Sequence, residues 1–121
     1  MHETEKKAMD VVMKYEKKQG RNPKDVHLQR DIPYDIKSGK RCIEVKGTKD
    51  KRPTWVTMTD TLTRKIGKDL INYFVYIVYD IYGKPKLMIL DFDAIFSHLE
   101  TYVTFIITAK NVNKYGKNVK L

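Results

Sequence analysis

The stretch Ile43-Glu44-Val45-Lys46-Gly47 decides how the rest of the chain is read. Ile43 and Val45 are β-branched and would point to one side of a strand, while Glu44 and Lys46 would point to the other. One face is then apolar, and the other carries a carboxylate and an ammonium side by side. Upstream, Asp35 ends the segment Ile32-Pro33-Tyr34-Asp35-Ile36, and Ser38-Gly39-Lys40 is a turn signal between the two segments. A hairpin here brings Asp35 next to Glu44, with Lys46 alongside. Two carboxylates and a lysine on one strand-borne face form a divalent-metal site with a cationic neighbour, which is the equipment for phosphodiester hydrolysis. The competing reading is a surface ion pair between Glu44 and Lys46. Spacing alone weighs the two equally.

Glu-x-Lys is a weak signal by itself, and the chain also contains it as Glu5-Lys6-Lys7 and Glu16-Lys17-Lys18. Those two fall on a lysine-rich helical stretch and read as a solvated face. The third sits in a β-branched strand that ends in glycine, one turn after an aspartate. Mg²⁺ or Mn²⁺ takes hard oxygen ligands and keeps several waters. Asp35, Glu44 and the main-chain carbonyl of Val45 can hold such an ion and leave positions for water and a phosphate oxygen. Lys46 can orient or help deprotonate an attacking water, and can stabilise charge developing on phosphorus oxygens.

The totals fit this chemistry. A chain of 121 residues suits one domain, taken as 1–121, with an ordinary core. Lys plus Arg exceed Asp plus Glu by 24 − 15 = 9, and a small domain this basic usually meets a polyanion, nucleic acid before a membrane surface. The single cysteine, Cys42, excludes an internal disulfide framework and suits a reducing, cytoplasmic compartment. Met1 to Lys7 is charged and has no apolar stretch of the secretory kind. The apolar run near Tyr73 to Tyr79 is too short to span a bilayer, so no membrane is expected.

In chain order, Thr4 to Lys18 reads as a helix with Ala8, Met9, Val12 and Tyr15 inward, stopped by Gly20. Glu5 lies at the edge of its buried face. Asp25 to Gln29 reads as a weak strand, and Asp31 to Lys37 and Arg41 to Gly47 as hairpin arms. Thr48 to Pro53 is a basic loop carrying Lys49, Lys51 and Arg52. Trp55 to Met58 is a short strand, and Thr59 caps a helix to about Asp69, with Leu62 and Ile66 inward. Asn72 to Tyr82 is apolar at both parities, the pattern of a central strand covered on both faces. Gly83-Lys84-Pro85 turns the chain into an antiparallel neighbour, Lys86 to Leu90. Asp91 or Asp93 caps a short helix through His98. Tyr102 to Thr108 is a last strand, and Lys110 to Leu121 a basic tail. This order argues for α/β, bordering on α+β, with a mixed sheet between helices.

At this point the residues resemble a family. Asp35 followed by Glu44-Val45-Lys46 resembles the PD-(D/E)xK nuclease signature, with Pro33-Tyr34-Asp35 as its first half. Tyr15-Glu16-Lys17-Lys18-Gln19-Gly20-Arg21-Asn22-Pro23, Tyr34-Asp35-Ile36, Ile43 to Gly47 and Tyr76-Ile77-Val78 extend the likeness. Together they are similar to the domain named after the C-terminal region of the plant protein NO VEIN, over roughly residues 3 to 92. The resemblance implies a restriction-endonuclease-like core, a central mixed β-sheet flanked by helices with an acidic site at one edge. It places Glu5 at the family's first-helix glutamate, Asp35 and Glu44 on the metal ligands, and Lys46 on the catalytic lysine. The chain departs from the family after Trp55, where a glutamate–tryptophan pair is usual and Thr59-Asp60-Thr61-Leu62-Thr63-Arg64-Lys65 stands instead.

The expected function is therefore a Mg²⁺- or Mn²⁺-dependent DNA endonuclease, with Glu5, Asp35, Glu44 and Lys46 as its catalytic set. Lys37, Lys49, Lys51, Arg52, Arg64 and Lys65 would contact the backbone. A homodimer would supply two sites for two strands, and the family suggests a helicase or restriction-system partner. The rivals are a non-catalytic nucleic-acid-binding module and a partner-interaction domain. His2, His27 and His98 share no metal-ligand spacing and read as structural. Cys42 reads as a small strand residue.

Overall fold

The computed structural model describes residues 2–54, 56–58, 67–98, 100–101 and 105–121. Helix α1 (Glu3–Lys18) is followed by strands β1 (Pro23–Asp25), β2 (Ile36–Ser38), β3 (Arg41–Gly47) and β4 (Val56–Met58). A 3₁₀ segment (Gly67–Asn72) leads into β5 (Tyr73–Tyr79) and β6 (Lys86–Leu90). Then come α2 (Phe92–Phe96), β7 (Glu100–Thr101), β8 (Phe105–Ile107), α3 (Ala109–Tyr115) and β9 (Lys117–Val119).

The main sheet has six strands in the order β1-β2-β3-β5-β6-β9, and a three-stranded sheet runs β4-β8-β7. β3 and β5 are parallel, with Glu44 opposite Val75 and Lys46 opposite Ile77. Every other neighbouring pair in the main sheet is antiparallel, which makes the sheet mixed as expected.

Alternation along β3 and β5 creates two cores. Ile43, Val45, Tyr76 and Val78 pack with Ala8, Met9, Val12 and Tyr15 of α1. Cys42, Tyr73, Val75, Ile77 and Tyr79 face the other way, toward Val56, Ala94, Ile95, Ile107 and Val112. Helix α1 covers one face, and α2, α3 and the small sheet cover the other. Each fully buried Val, Ile or Leu among these contributes about 1.5–3 kcal/mol. β5 needs apolar side chains at both parities because it lies between the two layers.

Several boundaries differ from the sequence reading. The weak strand is Pro23–Asp25, and the chain turns at Val26 to Arg30, leaving Leu28 exposed. The Asp25 carboxylate accepts from the His27 main-chain N–H at 3.1 Å, and Gln29 N–H donates to the Val26 carbonyl. That local turn outcompetes the weak alternation of Val26 and Leu28. The first hairpin arm is ordered as strand only from Ile36. β5 ends at Tyr79, because Asp80 takes a left-handed conformation (φ 51°) and donates its N–H to the Asp50 carbonyl. The basic tail is structured: α3 buries Val112, and β9 closes the sheet edge against β6. The short helix after β6 is capped by Asp91, whose carboxylate accepts from Ala94 N–H at 2.9 Å. Trp55, the capping Thr59 and the expected helix through Ile66 lie outside the described residues, as does Tyr102; Gly67 to Asp69 are 3₁₀.

Candidate active site

The hairpin places its carboxylates as its register dictates. Ile36 pairs with Ile43, and Asp35 N–H donates to the Ile43 carbonyl at 2.9 Å. Asp35 therefore sits beside Glu44, one step before β2 begins. At that fork β2 leaves β3, and the next β3 amide would lose its partner. The Asp35 carboxylate supplies it, accepting from Val45 N–H at 2.8 Å. Asp35 thus closes the ladder with one oxygen while its carboxyl lies against Glu44.

Glu44 is the electrostatic anomaly of the site. Burial, then a hydrogen bond with the Asp35 carboxyl and the charges of Asp35 and Glu5, push its pKa up to about 9, while Lys46 pulls the other way. Two carboxyls in contact cannot both ionise without a cation between or beside them. The same acidic charge, on top of burial, pushes the nearby Tyr73 hydroxyl well above its ordinary value.

Glu5, Met9, Asp35, Glu44, Val45, Lys46 and Gly47 line one cavity of about 190 Å³. The structure thus brings Glu5, Asp35, Glu44 and Lys46 together from α1, the hairpin fork and β3. Gly47 makes the α1 contribution possible. A Cβ there would lie 2.9 Å from Ala8 Cβ and 3.0 Å from the Thr4 carbonyl, so only glycine admits the first turns of α1 this close to the end of β3. Sequence reasoning took Gly47 as a strand end and missed this role, along with Met9 in the cavity wall.

The donor set suits a hard divalent cation. Among the described residues no three Asp, Glu, His or Cys side chains form a metal-ligand cluster. Two adjacent carboxyls and a main-chain carbonyl match the sparse protein ligation of Mg²⁺, which retains waters and takes substrate oxygens.

A profile of the family described as "Protein NO VEIN, C-terminal" matches residues 4–90. The chain belongs to this family. Among solved structures, this NO VEIN C-terminal domain is similar to Hjc of Archaeoglobus fulgidus, a Holliday junction resolvase from an archaeal hyperthermophile. The TM-score is 0.65 at 14% identity, covering 95% of this chain and 91% of that one. The shared architecture is the restriction-endonuclease-like α/β fold. No curated protein matches the chain. Among the described residues no helix is long and apolar enough to cross a membrane.

The expected phosphate-contacting residues of this NO VEIN C-terminal domain divide. Lys37 donates to Cys42 Sγ at 3.5 Å and does not line the acidic cavity. Lys49 is exposed on the loop after β3. Lys51 and Arg52 line a separate, larger groove. Arg64 and Lys65 lie outside the described residues. One sequence reading is overturned. Glu16, read as part of a solvated face, is completely buried. Arg21 grips it with Nε to Oε1 at 2.6 Å and a second guanidinium nitrogen to Oε2 at 2.7 Å. The Tyr76 hydroxyl donates to it at 2.9 Å. Arg21, five positions on, was the missed signal.

Proposed function

We propose that this domain is a metal-dependent nuclease that hydrolyses DNA phosphodiesters at the fork between β2 and β3. The observation that carries the reading is the contact between the Asp35 and Glu44 carboxyls in a cavity that Lys46 also lines. Asp35, Glu44 and the Val45 carbonyl would hold Mg²⁺ or Mn²⁺. The ion, when bound, supplies positive charge against the phosphate oxygens and acidifies water.

The chain's own groups do the rest. Lys46 directs its ammonium at charge gathering on the phosphate, and it orients the water whose oxygen forms the new bond to phosphorus as that water gives up a proton to solvent. The bond to the leaving sugar oxygen breaks, and that oxygen takes a proton from solvent. Glu5 accepts a hydrogen bond from water on the α1 side of the cavity. Asp35 keeps its second duty at Val45 N–H, so the strand end cannot splay while the site works. The resolvase described above makes branched DNA the first substrate to test, and a homodimer would supply two sites for paired strands.

The test is incubation with supercoiled plasmid, single-stranded DNA and a four-way junction. Each is run with Mg²⁺, with Mn²⁺ and with chelator, beside Glu44→Ala and Lys46→Ala. Metal-dependent cutting that both substitutions abolish is the expected result. Cutting that survives both overturns the proposal. Binding without cutting on every substrate transfers the domain to the non-catalytic nucleic-acid-binding reading.

A further inference from the structure

A second concavity opens on the face of the sheet that bears Glu44 and Lys46. It is a groove of about 750 Å³ between the loop after β3, the ends of β5 and β6, α3 and β9. Its charged lining is Lys51, Arg52, Lys86 and Lys110 against the single acid Asp50. Among the described residues no carboxylate pairs with any of these four cations, and all four are exposed.

The groove is built rather than incidental. Asn113 Nδ2 donates to the Pro53 carbonyl at 3.3 Å and to the Ala109 carbonyl at 2.7 Å, tying the loop to α3. The Tyr79 hydroxyl donates to Asn118 Oδ1 at 2.6 Å, tying β5 to β9 across the floor. Lys86 lies over the Tyr79 ring, 6.0 Å from its centre, which holds the ammonium at the wall.

Register relates the groove to the acidic cavity. Lys46 is level with Ile77, which is level with Met88, which is level with Asn118. Tyr79 and Lys86 form the next row on the same face. Lys86 is thus two strands across from Lys46 and one row further along, roughly 12 Å at the ordinary strand spacing and rise. The loop that begins at Thr48, directly after Gly47, carries Lys51 and Arg52 into the lining of the groove.

We propose that this groove binds the phosphodiester backbone of a DNA strand leading away from the acidic cavity, with Lys86 and Lys110 as phosphate contacts. The proposal extends the nuclease reading, but it concerns binding and is tested without cleavage. Four unpaired cations at a pinned wall fit a repeating anion, and phosphate contacts of this kind position a strand without reading its sequence.

The experiment measures the affinity of labelled single-stranded DNA and of a four-way junction in chelator, across a range of NaCl concentrations. Wild type is compared with Lys86→Ala/Lys110→Ala and with Lys14→Ala/Lys18→Ala, which removes the same charge from α1 on the opposite face. The groove pair is expected to flatten the plot of log affinity against log salt by roughly 1.5, two contacts at about 0.7–0.9 each, while the α1 pair leaves it unchanged. Equal losses from both pairs, no loss from the groove pair, or no binding by wild type would overturn the proposal. Thermal unfolding checks that Lys86→Ala keeps the fold. Lys51→Ala/Arg52→Ala, on the loop, gives an independent second reading of the same slope. Glu44→Ala separates the two claims, since it removes cutting and leaves the groove-dependent slope in place.

Discussion

Glu16 and Glu44 occupy similar triplets, Glu-Lys-Lys and Glu-Val-Lys, and opposite electrostatic worlds. Burial works against the charge of both. At Glu16 the hydrogen bonds from Arg21 and Tyr76 outweigh burial and hold its pKa below the ordinary value. At Glu44 the nearest partner is another carboxyl, and the pKa rises. A folded chain satisfies a structural charge from within. At Glu44 the charge of Lys46 does not offset burial and the Asp35 carboxyl, and that unbalanced pair is where the proposed cation would bind. That difference separates a brace from a site more sharply than the Glu-x-Lys pattern does.

The largest expected effect lies on the site side of the comparison. Glu44→Ala or Asp35→Ala should lower cleavage about a thousandfold, the scale of losing a preorganised electrostatic group. Time courses on whichever substrate wild type cuts would measure it. A residual rate within tenfold of wild type would remove Glu44 from the chemistry.

The brace predicts the opposite phenotype. Glu16→Ala leaves the Arg21 guanidinium half-buried and unpaired, and should cost about 3 kcal/mol in denaturant unfolding, the low end for breaking a buried pair. Glu44→Gln, which removes the unfavourable carboxyl, should leave the metal-free midpoint unchanged or higher. If both substitutions destabilise alike, the contrast between brace and site fails.

Tyr76→Phe tests the brace one atom at a time. Its hydroxyl donates to Glu16 and accepts from Arg41 at 2.7 Å, so its loss should cost about 2 kcal/mol, read from the same unfolding curves.

The smallest effect is a pH dependence. Between the ordinary carboxyl value of 4.5 and about 9, folded Glu44 keeps a proton that the unfolded chain has released. The stability from this group is full below the lower value and is lost as pH rises through the upper one. A bound cation displaces that proton, so Mg²⁺ affinity should rise up to tenfold per pH unit across the window. Calorimetric titration at pH 6, 7 and 8 would detect it, and a flat profile would show that no proton leaves Glu44 on binding.

Much of the molecule was legible because its signals are local. The β-branched alternation of Ile43 and Val45, the turn at Gly39 and the doubled apolar parity of Tyr73 to Tyr79 are each read within a few residues. They yielded the hairpin, the central strand and the meeting of Asp35 with Glu44. What escaped depends on long-range partners. Glu16 looks solvated until Tyr76, 60 positions away, closes over it. Lys117–Val119 becomes a strand only because β6 offers an open edge, and its lysine and asparagine carry little strand propensity. Gly47 reads as an end until Thr4 and Ala8 are packed against it.

The buried pin at Glu16 has a mechanical consequence. Helix α1 is a rod fixed to the sheet near its last turn, and Glu5 rides eleven residues away, about 16 Å along the axis. A tilt of 10° about that pivot would swing Glu5 by roughly 3 Å, more than a hydrogen bond tolerates. Arg21 and Tyr76 do not line the cavity, yet they set the angle of the arm that carries an acid into it.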